Sequence, residues 1–151
     1  MKIVITGASG FVGNNLNYNL KSLFDVSTMH IRYSPAQKFD IKANAVIHLA
    51  GKAHDLKKTS NPHEYYKVNF ELTKNLYDAF LKSNASKFIF MSSVKAAADS
   101  VDGILTEADV PNPQTHYGKS KLMAEEYIQS QPLPIGKSYY ILRPCMIHGP
   151  G

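Results

Sequence analysis

Apolar positions along this chain follow two alternating patterns. Five short runs rich in Val, Ile, Phe and Tyr lie at Lys2–Thr6, Val26–Ile31, Ala45–Leu49, Lys87–Met91 and Ser138–Leu142. Each is nearly continuous in apolar character, the pattern of a strand covered on both faces. Longer stretches between them repeat apolar residues every three or four positions, as helices do. The first begins near Gly10, with Val12, Leu16, Leu20 and Leu23 as its buried stripe. The second has Asn61 as N-cap, Pro62 at its first position and Glu64 three residues after the cap, and its spacing carries it to Ser83. A third covers Tyr117–Gln129. Between the second and third runs only about a dozen residues remain, the minimum for a crossover with a helix, so that crossover is predicted to be short or irregular. Strands alternating with helices in this way predict a doubly wound, parallel α/β sheet in one domain over residues 1–151.

The second helix carries two stripes. Tyr65, Val68, Leu72, Leu76 and Ala79 form one, and Tyr66, Phe70, Tyr77 and Leu81 form another on a different face. Either the aromatics widen the core stripe, or the second face meets a partner. A partner there predicts a homodimer through the 62–83 and 116–130 helices.

Composition narrows the class without choosing the chemistry. Hydrophobic residues at 44% and charged residues at 19% are ordinary for a globular domain. No run of about 18 apolar residues occurs, so no membrane partner is expected. The first six residues run into glycines before a signal-peptide core could form, and a single cysteine, Cys145, suits a reducing cytosol; the expected location is the cytoplasm. Asn84-Ala85-Ser86 is then a chance sequon. The net charge of +5 is scattered, with Lys57-Lys58 the only adjacent pair, which predicts no nucleic-acid partner. A mild positive excess suits ligands that carry phosphates.

Two stretches carry candidate chemistry. Thr6-Gly7-Ala8-Ser9-Gly10-Phe11-Val12-Gly13 follows a strand and opens a helix. Glycines at Gly7, Gly10 and Gly13 permit a tight turn, close backbone approach to a pyrophosphate, and close helix–sheet packing. The helix N-terminus then offers N–H groups to the phosphates of a dinucleotide. Gly118-Lys119-Ser120 looks like the end of a phosphate loop, but Pro113 stands where that motif needs its first glycine. Tyr117 and Lys121, four apart, share one face of a helix. A nearby ammonium favours a tyrosinate and would lower the Tyr117 pKa toward the range useful for proton transfer.

The order of motifs resembles that of the extended short-chain dehydrogenase/reductases, in the NAD-dependent epimerase/dehydratase branch. Thr6–Gly13 resembles their TGxxGxxG loop, and His48-Leu49-Ala50-Gly51 their third-strand HLA(A/G). Tyr66-Lys67-Val68-Asn69-Phe70-Glu71-Leu72-Thr73 is similar to their YxxN(V)xGT helix, and Phe88-Ile89-Phe90-Met91-Ser92-Ser93 to their serine strand end. Thr106-Glu107-Ala108-Asp109-Val110-Pro111-Asn112-Pro113 leads into the YxxxK at Tyr117–Lys121, and Leu142-Arg143-Pro144 with His148-Gly149-Pro150-Gly151 resembles LRP…YGPG.

The resemblance implies a Rossmann-like fold and these roles: Ser93 holds the reacting oxygen, Tyr117 is the acid/base, and Lys121 binds the nicotinamide ribose and tunes Tyr117. Gly7, Gly10, Phe11, Val12 and Gly13 hold the dinucleotide; Leu49, Ala50 and Gly51 line its ribose, and Pro144 sits by the nicotinamide. No metal is implied. The implied activity is NAD- or NADP-dependent epimerisation or ketoreduction of a nucleotide sugar, of UDP-hexose or hexosamine type. Val94-Lys95-Ala96-Ala97-Ala98 departs from the common Tyr-Gly that follows the serines. With Gly51-Lys52-Ala53-His54, it resembles a bacterial branch making surface-polysaccharide sugars. His148 replaces the usual tyrosine of YGPG.

Cofactor choice follows from the end of the second strand, Met29-His30-Ile31-Arg32, where no acid precedes Asp40. An acid there usually holds the ribose 2′-OH of NAD, whereas Arg32 can pair with the 2′-phosphate of NADP; Arg32 stacking on adenine or facing solvent is the alternative. His48 is expected to be packed and hydrogen-bonded, and His54, His63 and His116 lack metal-ligand spacing. Relatives in this family run to about twice this length, so the chain is expected to bind dinucleotide while lacking most of the C-terminal lobe that grips the sugar nucleotide. Two other functions stay open: a dinucleotide sensor without turnover, and a reductase of a non-nucleotide ketone or aldehyde.

Overall fold

The computed structural model describes residues 1–52 and 61–149; Ala53, His54, Lys57, Lys58, Pro150 and Gly151 lie outside the described residues. Five parallel strands form one sheet: β1 (Lys2–Thr6), β2 (Asp25–Met29), β3 (Ala45–His48), β4 (Lys87–Met91) and β5 (Ser138–Leu142), in the order β2-β1-β3-β4-β5. Ile3 pairs with Val26 on one side and Ala45 on the other, and Phe88 pairs with Val46 and Tyr139. The direction of progression reverses between β1 and β3, and the crevice above such a reversal is where open α/β sheets bind ligands. The doubly wound, Rossmann-like expectation holds.

Helix α1 spans Phe11–Leu20. The long helix α2 covers residues 63–82 as α-helical His63–Tyr65, a π-helical stretch Tyr66–Glu71, and α-helical Leu72–Lys82. Helix α3 spans His116–Ser130. Residues 30–44 form no helix, as the short crossover required, yet Ile41 is buried there. Among the described residues no helix is long and apolar enough to cross a membrane.

Side-chain alternation on the strands builds two layers. Ile3, Ile5 and Ala45 face α1, where Leu16 and Leu20 cover them. Val4, Val46, Phe88 and Phe90 face the opposite side, where Leu76, Tyr77 and Phe80 of α2 and Ala124 and Ile128 of α3 complete the larger core. Coverage on both faces is less complete than expected: β2 and β5 are edge strands, and Tyr140 and Leu142 remain about half exposed.

Two helical stripes also need correction. Leu23 is 73% exposed, because α1 ends at Leu20 and Leu23 follows in a turn. On α2 the inward face is Tyr65, Asn69, Leu72, Thr73, Leu76, Tyr77 and Phe80. Asn69 rather than Val68 and Phe80 rather than Ala79 are the fully buried positions of that face, with Ala79 partly buried against the same core. Tyr77 therefore belongs to the core and not to an outward second stripe. Tyr66 and Phe70 turn toward α3, where Tyr66 Oη bonds His116 Nδ1 at 2.9 Å and Phe70 packs edge-on to Tyr127.

Asn61 does cap the start of α2, accepting from the His63 N–H at 3.1 Å. Its other end is closed from outside the helix. Lys137 Nζ donates to the carbonyls of Phe80, Ser83 and Ala85, supplying a cation to the helix C-terminus.

Candidate active site

The residues expected at the site lie on the segments that follow the strands and on the helices α1 and α3. The β1–α1 turn is built as a phosphate cradle. Gly7 has φ +70, and a Cβ there would stand 2.6 Å from the Ala50 nitrogen. A Cβ at Gly13 would lie 2.2 Å from the Gly7 oxygen, so the helix can start this close only with glycine. Among the described residues no side chain caps α1, and its first turn holds no acid. Its leading N–H groups, beside Phe11 and Val12, are thus a fit for a pyrophosphate. Leu49, Ala50 and Gly51 form the opposite wall, fastened to β1 by Leu49 N to Thr6 O (3.2 Å) and Ala50 N to Thr6 Oγ1 (3.3 Å).

Behind that wall lies a buried polar hub. His48 bonds Thr6 Oγ1 through Nδ1 (2.7 Å) and Thr73 Oγ1 through Nε2 (2.9 Å). Burial pushes its pKa down to about 3, with the charge of Lys121 adding to the effect, so it is a neutral joint, packed and hydrogen-bonded as expected. Asn69, fully buried on the π-helical stretch, accepts from Lys52 N (2.7 Å) and donates to Lys52 O and Ser120 Oγ (3.1 Å each). It fixes the loop after Gly51 to both helices. Gly51 has little room of its own: a Cβ would stand 3.0 Å from Asn69 Oδ1 and 3.3 Å from Lys121 Nζ.

Ser93 follows β4 and accepts from Lys95 N at 3.2 Å, starting a short 3₁₀ turn over Val94–Ala96. Helix α3 docks tightly on that turn. A Cβ on Gly118 would lie 2.3 Å from the Lys95 oxygen, which is the physical reason for a glycine there. Asp99 completes the junction, accepting from Gln114 N (2.6 Å), Thr115 N (3.1 Å) and Thr115 Oγ1 (2.9 Å). Although burial opposes the shift, these hydrogen bonds hold Asp99 below the usual carboxylate range. Thr115 then caps α3 by accepting from Gly118 N. The result brings Tyr117 within hydrogen-bonding reach of Ser93, with the ring of Tyr65 edge-on at 6.1 Å.

One electrostatic expectation is overturned. The Tyr117 pKa is raised, chiefly by burial, and the Ser93 hydrogen bond pulls the other way without winning. Lys121 is only 5% exposed and donates to the Met91 carbonyl at 2.9 Å, over the Phe90 ring. Its ammonium is committed to that carbonyl, and burial lowers its pKa to about 8. Tyrosine and lysine share a face as the spacing required, but in this arrangement Tyr117 is a protonated donor at neutral pH.

Pro144 is also brought in, its carbonyl accepting from Val94 N at 3.0 Å. Arg32 lies exposed three residues past the end of β2, the neighbour of β1, and is followed by Tyr33, whose hydroxyl bonds Glu71 on α2. Three side chains went unread in the sequence. Asn69 and Arg143 were signalled only by their places in motifs, and Glu125 only by being a charge beside apolar residues.

The model of the NAD-dependent epimerase/dehydratase family matches residues 3–151. The chain belongs to that family. Among curated relatives, the UDP-glucose 4-epimerase of Vibrio cholerae is 30% identical over 99% of this chain and 52% of its own length. A dTDP-4-dehydrorhamnose reductase from Clostridium acetobutylicum superposes with a TM-score of 0.78 at 29% identity, covering all of this chain and 55% of that one. RMD from Pseudomonas aeruginosa, solved with NADPH, gives 0.74 at 25% identity over 95% of this chain and 52% of its own. The chain thus spans about half the length of the relatives it matches, so the activity of the whole protein is a matter for proposal.

Proposed function

We propose that this protein is an NAD(P)-dependent epimerase or ketoreductase acting at a hydroxyl- or keto-bearing carbon of a nucleotide sugar. The observation that supports this most is the approach of Tyr117 to Ser93, close enough to interact, with Lys121 one turn further along the same helix. The dinucleotide, when bound, supplies or takes up the hydride. Ser93 orients the reacting oxygen, and Tyr117 exchanges its proton, with the raised pKa suiting a donor in the reductive direction. Lys121 would hold the nicotinamide ribose, Pro144 would sit by the nicotinamide, and Leu49, Ala50 and Gly51 would line the cofactor's ribose through their backbone. Gly7, Gly10, Phe11, Val12 and Gly13 hold the pyrophosphate, whose fit rests on the cradle described above.

The sugar is of UDP-hexose or hexosamine type, and its product serves bacterial surface-polysaccharide synthesis, a reading supported by the Ser92-Ser93-Val94-Lys95 run. Arg32 pairs with a 2′-phosphate, making NADP the preferred cofactor; tighter binding of NAD than NADP by titration would overturn that choice. Residues 62–83 and 116–130 pair in a dimer through Tyr66 and Phe70 and their neighbours, with Tyr77 excluded by its place in the core.

The test of the catalytic reading is Tyr117→Phe. Turnover of a nucleotide sugar in the full-length enzyme falls by about 10² or more, while dinucleotide affinity changes little. Near wild-type turnover sinks the assignment.

A further inference from the structure

Glu125 lies on α3 one turn beyond Lys121 and is only 1% exposed. A carboxylate this deep needs partners, and two other segments supply them. It accepts from the Ser92 hydroxyl at the end of β4. It also accepts from Arg143, whose Nε lies 3.1 and 3.0 Å from the two carboxylate oxygens and whose Nη2 reaches one of them, in a forked pair. Ser92 immediately precedes Ser93, and Arg143 immediately precedes Pro144. One carboxylate therefore ties the helix bearing Tyr117 and Lys121 to the two strand ends that bring in Ser93 and Pro144.

The same residue bears on charge. Among the described residues, the groups around the Lys121 ammonium are Glu125 from its own helix, which also carries Tyr117 one turn earlier, His48 from β3, the Met91 carbonyl and Phe90 ring from β4, and Asn69 from α2 near Gly51. His48 is neutral at pH 7. Of these, Glu125 is the only carboxylate, and it opposes the loss of the lysine proton that burial favours. Arg143 stands behind it as the balancing cation.

We propose that Glu125 is a positioning residue for the reaction, clamping the segments that carry Ser93 and Pro144 to α3 and keeping the buried Lys121 charged. The inference rests on the roles given above to Ser93, Lys121 and Pro144. Its test follows the lysine itself. In protein labelled with ¹³C-lysine, the Lys121 Cε signal, assigned by its loss in Lys121→Arg, is titrated with pH. Glu125→Gln keeps the shape and removes the charge, and the Lys121 midpoint falls by about one pH unit or more. Glu125→Asp keeps the charge and leaves the midpoint close to wild type. Equal midpoints for wild type and Glu125→Gln overturn the charge role. Should Glu125→Gln not fold, Ser92→Ala serves: it leaves the midpoint in place and weakens NADPH binding about tenfold, and unchanged binding overturns the clamp. Saturable dinucleotide binding by the unaltered protein is measured alongside. Its absence would refute the cofactor reading while leaving the lysine titration to decide on Glu125.

Discussion

The layer between the sheet and helices α2 and α3 has two ends that follow opposite rules. Toward the C-terminal ends of the strands, the buried residues are Thr6, His48, Asn69, Thr73, Ser92, Ser93, Ser120, Lys121 and Glu125, nearly all joined by hydrogen bonds. Toward the other end they are Leu76, Tyr77, Phe80, Ala85, Phe88 and Ile128, a packed aromatic and aliphatic block. One end stores stability through apolar burial, which is non-directional and large. The other holds groups at fixed angles, where each polar atom must be paired or becomes a liability. Function sits where the structure is most exacting, and stability where it is most forgiving of direction.

The sharpest way to break this contrast is Phe88→Ala at the apolar end. Phe88 touches Tyr77 and Phe80 at ring-centroid distances of 5.0 and 5.3 Å. Its truncation is expected to cost about 3–5 kcal/mol in denaturant unfolding, with dinucleotide affinity of the folded fraction unchanged. A lost affinity of the same size would show that the two ends are not separable.

A second, intermediate effect comes from the polar end and depends on pH. His48 has a folded pKa of about 3 against an ordinary value near 6.5, so the native state binds fewer protons than the unfolded one. Its contribution is therefore complete above pH 6.5 and is lost progressively as pH falls toward 3. Wild type is expected to lose melting temperature between pH 7 and pH 5. His48→Asn, less stable at pH 7, should lose less over the same interval. Parallel curves for the two proteins would remove His48 as the cause.

The smallest effect is expected where the contrast has a flaw. Tyr77 is fully buried in the apolar block, and among the described residues its hydroxyl has no hydrogen-bond partner. Burial pushes its pKa up to about 12. Tyr77→Phe removes a desolvated donor while keeping the ring, so unfolding free energy should hold or rise by up to about 1 kcal/mol. A clear loss would mean that the hydroxyl is satisfied in solution.

How much of this could be read from the sequence differs between the two ends. The strands were legible because each carries consecutive β-branched and aromatic residues, and the glycine turn because its strand and helix context was unambiguous. That Tyr117 and Lys121 share a helix face followed from their spacing, since residues four apart on a regular helix lie one above the other, whereas their singling out rested on the order of the motifs around them. The inward face of α2 was only partly legible, because 68/69 and 79/80 fit helical spacing equally well and the residue buried at 69 is a polar asparagine, which an apolar stripe passes over. The direction of the Tyr117 shift was not legible: spacing tells that a lysine is near, but only coordinates tell that its ammonium points to Met91. The fork between Glu125 and Arg143 joins residues 18 apart through a sheet edge, and no local pattern announces it.

The π-helical stretch in α2 also constrains how the length of this chain can vary. Each residue added to or removed from a helix rotates everything beyond it by about 100°. Asn69 faces the loop after Gly51, while Leu76 and Phe80, further along, face the core. Deleting one residue between 66 and 71 would let the helix relax to uniform α geometry. The segments on either side would keep their faces, since six π-helical residues turn through about as much as five α-helical ones, and only contacts made from within the stretch, such as those of Asn69, would shift. A single deletion is therefore easier to accommodate within residues 66–71 than in the α-helical remainder of α2, where it turns every later side chain off its face, while exposed loops such as 101–111 can absorb length changes of either sign.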